Sequence, residues 1–414
     1  MKILFVLRLY SGLEKSIKYN SWSPTGIPTI YKLLEKIDKK HDVKIVLIHK
    51  IPQEHQYSNY NKKQDINVIF DEFKYPVTVL RSVGKKTNKF LRVANELMHF
   101  TKILCEIYKN KPNLIYFDHS NIWSAGIISR IYKVPIVVRL LGIYPYIKKL
   151  AGVKLSINQR ILKWCFKAPF SLLINTNDGS GKSKDVKNLL NYKTKYKLLL
   201  NGANVFDIHL KSHFETKKNI NTKSITCLFI GKLEVYKGCI TFVETIIEAV
   251  QKGLNVYAII IGEGSQKNTL INMINQKNLH KHFDLLNNID HRKVGKYHKL
   301  CDVYISLNHF GNMSNTVLEA IKFGQAVIMP KKLFSETDGE DIKLFGDNSV
   351  IWINDPNDKK GLIDHLEKIC LDKNYLTKYK NNILKVAKRI PSWDERIDRE
   401  IKLLEDTVHK YRNY

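Results

Sequence analysis

Short runs of consecutive apolar residues alternate along this chain with longer stretches whose apolar positions recur every three or four residues. Ile3–Leu9, Val43–Ile48, Leu114–Phe117, Val134–Leu140 and Ser171–Asn175 are the runs of the first half, and Thr226–Ile230, Val256–Ile261, His282–Leu286, Val303–Ser306 and Ala326–Met329 continue the series. Apolar runs of this length without polar alternation predict strands buried on both faces, as in a parallel sheet. Between them, Ile30–Asp38 places Ile30, Leu33, Leu34 and Ile37 at the helical period. Phe90–Tyr108, Ile240–Lys252, Ser265–Gln276, Lys293–Leu300 and Asn315–Phe323 read as helices in the same way. Strand and helix alternating twice over predict the α/β class, with two doubly wound, Rossmann-like domains facing one another.

The alternation pauses between Leu200 and Lys223. Asn201-Gly202-Ala203-Asn204 is a turn signal, and His209–Lys223 is polar, lysine-rich and without an apolar period, hence a loop. The expected domains are residues 1–200 and 201–391. Near the end Pro391 interrupts a helix, and a last helix, Arg396–Tyr411, follows. A chain of 414 residues exceeds what one core normally holds, which agrees with two domains. Its longest apolar runs fall far short of the roughly 20 residues that span a bilayer. Met1–Arg8 has an apolar run of five residues and no small-residue cleavage site after it, so it reads as a first strand and not as a signal peptide. The six cysteines show no paired spacing, which fits a reducing, cytoplasmic compartment and offers no metal site.

Charge changes the picture because it is lopsided. Of the formal net charge of +29, residues 1–200 hold 36 Lys and Arg against 13 Asp and Glu, a net of +23. Residues 201–414 hold 32 against 26, a net of +6. A compositional bias toward lysine would spread over both halves. A one-sided basic field suits an anionic membrane surface or nucleic acid. Tyr146–Phe170 interleaves Lys148, Lys149, Lys154, Arg160, Lys163 and Lys167 with Leu150, Leu155, Ile161, Trp164 and Phe166, a basic amphipathic pattern that Lys85–Lys111 shares. An ordinary domain-surface helix fits the same pattern.

The candidate chemistry lies between Ile225 and Pro330. Gly231-Lys232 follows one strand and Lys237-Gly238 stands five residues on; Gly262-Glu263-Gly264 follows the next strand. After a third come Asn312, Ser314, Asn315, Thr316, Val317 and Glu319. Lysines bring compact positive charge to phosphate, glycines let backbone N–H groups come close, and a helix start adds donors. A glutamate one turn into that helix can accept hydrogen bonds from a ribose. The run Thr316–Glu319 also fits a capping box, in which the glutamate would serve the helix itself. The set points to a nucleotide diphosphate held across several strand ends.

With these motifs the chain resembles family 4 of the GT-B-fold glycosyltransferases, retaining enzymes that commonly use UDP- or GDP-sugars. Gly231-Lys232-x4-Lys237-Gly238 matches the family's Gly-Arg-x4-Lys-Gly, with lysine for arginine, and Asn315-Thr316-Val317-Leu318-Glu319-Ala320 matches its donor helix. Lys111–His119, Arg139–Gly142 and Asn201–Asn204 echo the other half, Asn204 replacing the family's aspartate. The resemblance implies Lys232 and Lys237 as diphosphate ligands and Glu319 on the ribose. It further implies Gly26, in Ser23-Pro24-Thr25-Gly26, at the first glycine loop, and His119 or Arg139 near the acceptor. The family's glutamate near the donor sugar falls at Gly311, so either Asn312 or Ser314 would hold the sugar instead or the family's usual register is offset here. The terminal helix, residues 392–414, is expected to complete the first domain.

The resulting expectation is a metal-independent, cofactor-free enzyme that moves a sugar to a lipid-linked or polysaccharide acceptor, peripheral at the inner membrane face. A GT-B nucleotide-sugar epimerase is the nearest alternative. A nucleic-acid-binding protein is the alternative of another class, suggested by charge alone, with no binding motif to support it.

Overall fold

A computed structural model describes residues 1–50, 64–83, 89–143, 145–152, 154–205, 224–332 and 336–412. The expected loop His209–Lys223 and the first residues of Lys85–Lys111 lie outside the described residues. The chain divides into two compact domains, one of residues 1–176, 183–199 and 394–414, the other of residues 177–182 and 200–393.

The first domain holds an eight-stranded sheet: β1 (Lys2–Arg8), β2 (Asp42–Ile48), β3 (Ile66–Val68), β4 (Val77–Leu80), β5 (Leu114–Asp118), β6 (Ile136–Leu140), β7 (Leu172–Asn177) and β8 (Lys195–Leu200). Their order is β3-β4-β2-β1-β5-β6-β7-β8. β1 pairs in parallel with β2 and β5, whereas β3 runs antiparallel to β4 at the edge. The second domain holds β9 (Ile225–Ile230), β10 (Val256–Ile261), β11 (Phe283–Leu286), β12 (Val303–Ile305), β13 (Ala326–Pro330) and β14 (Ile351–Ile353), in the order β11-β10-β9-β12-β13-β14. The pairings of β9 to β14 are all parallel.

The unbroken apolar runs have a simple cause. Along β1, Ile3, Phe5 and Leu7 enter the core on one face of the sheet, and Leu4 and Val6 enter the core on the other. Ala258 and Ile260 of β10 likewise part from Ile259 and Ile261. Helices cover both faces, so neither strand parity can be polar. The terminal helix Trp393–Arg412 presents Ile397, Ile401, Leu404 and Val408, spaced by three or four residues, to the first domain's core. Among the described residues no helix is long and apolar enough to cross a membrane.

Candidate donor site

At the carboxyl ends of β9 and β10 two loops are bonded together. Gly231 N donates to Ile261 O at 3.0 Å, and Leu233 N to Glu263 O at 2.9 Å. A Cβ at position 262 would stand 1.9 Å from Gly231 O, and one at 264 would stand 2.4 Å from Leu233 O. Gly262 and Gly264 therefore permit backbone-to-backbone packing. Gly231 differs: nothing lies within 4 Å of where its Cβ would be, so its open side can receive a ligand. Glu234 locks the same loops, its carboxylate accepting from Ser265 N at 3.1 Å and from Ser265 Oγ at 2.7 Å.

A short 3₁₀ turn, Val235–Lys237, delivers the second lysine. Gly238 ends it at φ 73°, in the left-handed region that favours glycine, and caps the helix Cys239–Gln251. Close packing adds to the requirement, since a Cβ here would stand 2.3 Å from Leu307 Cβ. Lys232 is exposed and Lys237 half-buried. Desolvation lowers the Lys237 pKa, Asp178 pulls it back up, and the charge of Lys232 lowers it further. Two cations that disfavour one another at partly dry strand ends gain from an arriving anion.

The helix Asn315–Lys322 begins close to the end of β9, since Tyr304 OH donates to Thr316 Oγ1 at 2.8 Å and lies 3.3 Å from Ile230 O. Its cap is Ser314, whose Oγ accepts from Val317 N at 3.5 Å. With Ser314 as the cap, the capping-box position is Val317; Glu319 lies two residues too far along, so that alternative is excluded by the helix register. The Glu319 carboxylate is buried and accepts from His291 Nε2 at 2.8 Å, with His298 Nε2 at 3.9 Å. Burial alone would raise its pKa; the two histidines outweigh burial and hold it below the ordinary glutamate value. His291 opens the helix His291–Leu300, and nothing in its sequence spacing ties it to Glu319. The remaining candidates brace the loop. Asn312 Nδ2 donates to Pro330 O at 2.8 Å and to Asp341 Oδ2 at 2.6 Å. Asn315 Oδ1 accepts from Asn201 Nδ2 at 2.7 Å, and Thr316 Oγ1 accepts from Tyr304 OH at 2.8 Å. The side chains of Asn312, Asn315 and Thr316 thus hold the loop in shape. Asn204, where the family has aspartate, accepts from Trp393 N at 2.8 Å.

Close packing accounts for the glycine at 311. A Cβ there would stand 2.4 Å from Asp178 O, because residues 177–182 cross into this domain and Met313 N donates to that same carbonyl at 3.0 Å. Any side chain at 311 would displace the crossing segment.

In the first domain, Gly26 has φ 93°, and Thr25 N donates to Gly12 O at 3.0 Å. A Cβ at Gly12 would stand 1.7 Å from Thr25 O, so the glycine turn is built from two distant glycines of which the sequence reading named one. His119 is half-buried after β5 and stacks on Tyr146 with centroids 6.4 Å apart; burial lowers its pKa, which favours the neutral ring. Arg139 is fully buried. Its guanidinium donates to Leu140 O at 2.7 Å, Ile174 O at 3.2 Å and Thr176 Oγ1 at 2.8 Å, and its Nε lies 3.6 Å from Glu400 Oε1. Glu400 also accepts from Tyr116 OH at 2.7 Å and pairs with Arg396 at 2.7 Å. Arg139 thereby ties the sheet to the terminal helix.

Residues 211–386 match the family described as Glycosyl transferases group 1. The chain is 26% identical over 144 residues to 2-deoxystreptamine N-acetyl-D-glucosaminyltransferase of Niallia circulans, which covers 35% of this chain and 36% of that enzyme. An uncharacterized glycosyltransferase of Methanocaldococcus jannaschii is 22% identical over 411 residues, 90% of this chain and 95% of that one. Among solved structures, HepE of Anabaena in complex with UDP superposes with a TM-score of 0.66 at 15% identity, over 98% of this chain and 100% of that one. Residues 211–386 of the chain are thus similar to the group 1 glycosyltransferases, and the fold is that of the GT-B structures.

Proposed function

We propose that this chain is a family 4 glycosyltransferase that moves a sugar, with retention at its anomeric carbon, from a UDP- or GDP-sugar to a lipid-linked or polysaccharide acceptor at the inner membrane face. The observation that carries the donor reading is the pair Lys232 and Lys237 on the loop of Gly231, whose side is open, with Glu319 buried on the helix Asn315–Lys322. The lysines and the first amides of the helices Cys239–Gln251 and Asn315–Lys322 would hold the diphosphate, and Glu319 the ribose. HepE of Anabaena, of the same fold, binds UDP, which supports a nucleotide there.

In this reading catalysis is mainly charge stabilisation. As the bond from the anomeric carbon to the phosphate oxygen breaks, negative charge grows on the leaving diphosphate, and the two lysines stand ready to receive it without reorganisation. An acceptor hydroxyl attacks the same carbon while its proton passes to the departing phosphate. His119, held neutral, is assigned to acceptor alignment, a role that Arg139 is too deeply buried to share. Because the cations supply the compensation usually given by a metal, turnover should persist in excess chelator. Loss of activity restored by magnesium or manganese would overturn that part of the proposal.

Membrane attachment is assigned to the basic first domain. Its helix Lys89–Asn110 exposes Phe90, Val93, Leu97 and Tyr108, and its helix Ile157–Phe166 exposes Ile157 and Trp164, with Lys148, Lys149 and Lys154 exposed nearby in sequence. Each Lys or Arg near an anionic surface adds about 1 kcal/mol. Sedimentation with vesicles should therefore show binding to anionic and not to neutral lipid, and release when salt rises from about 0.1 M to 1 M, where the Debye length shrinks from about 10 Å to 3 Å. Replacing Lys148, Lys149 and Lys154 by glutamate should weaken attachment and spare donor hydrolysis. Equal partition onto both vesicle types would contradict the assignment.

A further inference from the structure

The segment 177–182 leaves the first domain's sheet, packs on the second domain and returns. It carries a carboxylate to the donor site that neither the lysine motif nor the helix motif contains. Asp178 is fixed there by its backbone: its carbonyl accepts from Met313 N at 3.0 Å and occupies the space above Gly311. Gly179, at φ 73°, lets the turn approach to 3.4 Å between its Cβ position and Asn312 N. The side chain is half-buried, and Ser180 N, at 3.0 Å, and Ser180 Oγ both donate to Oδ1, so Oδ2 keeps lone pairs for other donors. Desolvation raises the Asp178 pKa, and the charge of Lys237 draws it back down.

We propose that Asp178 is the residue that reads the transferred sugar, its carboxylate accepting hydrogen bonds from ring hydroxyls of the glycosyl group whose diphosphate Lys237 holds. The inference rests on the donor reading above. Its logic is one of charge and connectivity. A carboxylate brought by its backbone to the loop ahead of the donor helix, its charge felt by Lys237, cannot itself be a phosphate ligand, since two anions would repel. The only other part of a nucleotide sugar next to the diphosphate, besides the ribose, is the sugar on its far phosphate, and that sugar is rich in hydroxyl donors. The close approach at Gly311 gives the same answer from packing: position 311 can hold no side chain because the backbone that brings Asp178 is there. The carboxylate is supplied from the crossing segment instead. Asp341, near Gly179, bonds Asn312 at 2.6 Å and so is engaged within the loop.

The test separates nucleotide from sugar. Binding of UDP and GDP is measured by calorimetry, and hydrolysis of UDP-glucose, UDP-N-acetylglucosamine and GDP-mannose is measured by product release, for the wild type and for Asp178→Asn. The expected result is unchanged or slightly tighter nucleotide binding, because a negative charge near Lys237 is gone. kcat/KM for the preferred sugar nucleotide should fall at least tenfold, the scale of a hydrogen bond to a charged group. In the wild type, a deoxy donor lacking the hydroxyl that is read should lose a similar factor, a penalty that Asp178→Asn should largely erase. Each penalty is a ratio of two donors on the same protein, so this arm does not depend on what fraction of the variant is folded. Tightening of nucleotide and sugar nucleotide alike would make Asp178 a mere counter-ion, and parallel loss of both with a lower Tm would make it a brace; either overturns the proposal. A wild type that binds neither UDP nor GDP would instead remove the donor reading beneath it.

Discussion

Lys237→Ala is expected to lower donor turnover by roughly 30- to 150-fold while leaving Tm within a degree or two of the wild type. The factor corresponds to about 2–3 kcal/mol for a charge-assisted contact to phosphate in a partly desolvated site. Stability should hardly change, because desolvation makes the folded protein a poor host for this charge: the Lys237 pKa is lowered, with Lys232 adding to the effect and Asp178 opposing it. Removing a disfavoured cation costs the empty protein little and costs the complex its main charge partner. Lys237→Arg should recover part of the activity, since charge is kept. Near-normal turnover in Lys237→Ala would remove the phosphate assignment.

Glu319→Gln is expected to weaken nucleotide binding by roughly 10- to 100-fold, as for a lost hydrogen bond to a charged group, with the loss appearing for UDP or GDP alone as well as for the sugar nucleotide. That pattern separates a ribose contact from the sugar contact assigned to Asp178. A stability signature accompanies it. Glu319 has a folded-state pKa below its unfolded value, so its contribution is fully present above the ordinary glutamate range and is lost as pH falls through the depressed value. Tm against pH should show a shallower acid limb in Glu319→Gln than in the wild type. Unaltered nucleotide affinity with a flattened acid limb would leave Glu319 as a partner of His291 and nothing more.

Much of this fold is legible in sequence because a parallel sheet covered on both faces leaves no polar parity in its strands. β1, β5, β9 and β10 stand out as unbroken apolar runs for that reason. β3, with three residues at an antiparallel edge, gives no such signal, nor does β14 with Ile351, Trp352 and Ile353. The helix Ser11–Tyr19 is hidden by Lys15 and Lys18 on its exposed side and by the polar Ser16 on its buried side. The lysine loop and the helix from Asn315 to Lys322 are legible because the residues of each lie close together in the chain. What escapes is whatever depends on distant residues meeting: Gly12 against Thr25, His291 against Glu319, Asp178 above Gly311. Arg139 shows the same limit from the other direction. At a strand end it reads as a contact for an anionic group, yet its partner is Glu400 on the terminal helix, and that pairing turns the guanidinium inward. Gly262 and Gly264 are evident as a turn, but only the positions of Gly231 O and Leu233 O show that they serve packing between loops.

Calorimetric titration of the wild type and of Lys237→Ala with UDP, GDP and ADP tests the donor site most directly. One of the first two should bind at one per chain in the wild type, with an affinity at least 30-fold weaker in Lys237→Ala, as the loss of one charged phosphate contact requires. Absence of binding by all three nucleotides, or equal affinity in both proteins, would contradict a diphosphate site at the ends of β9 and β10.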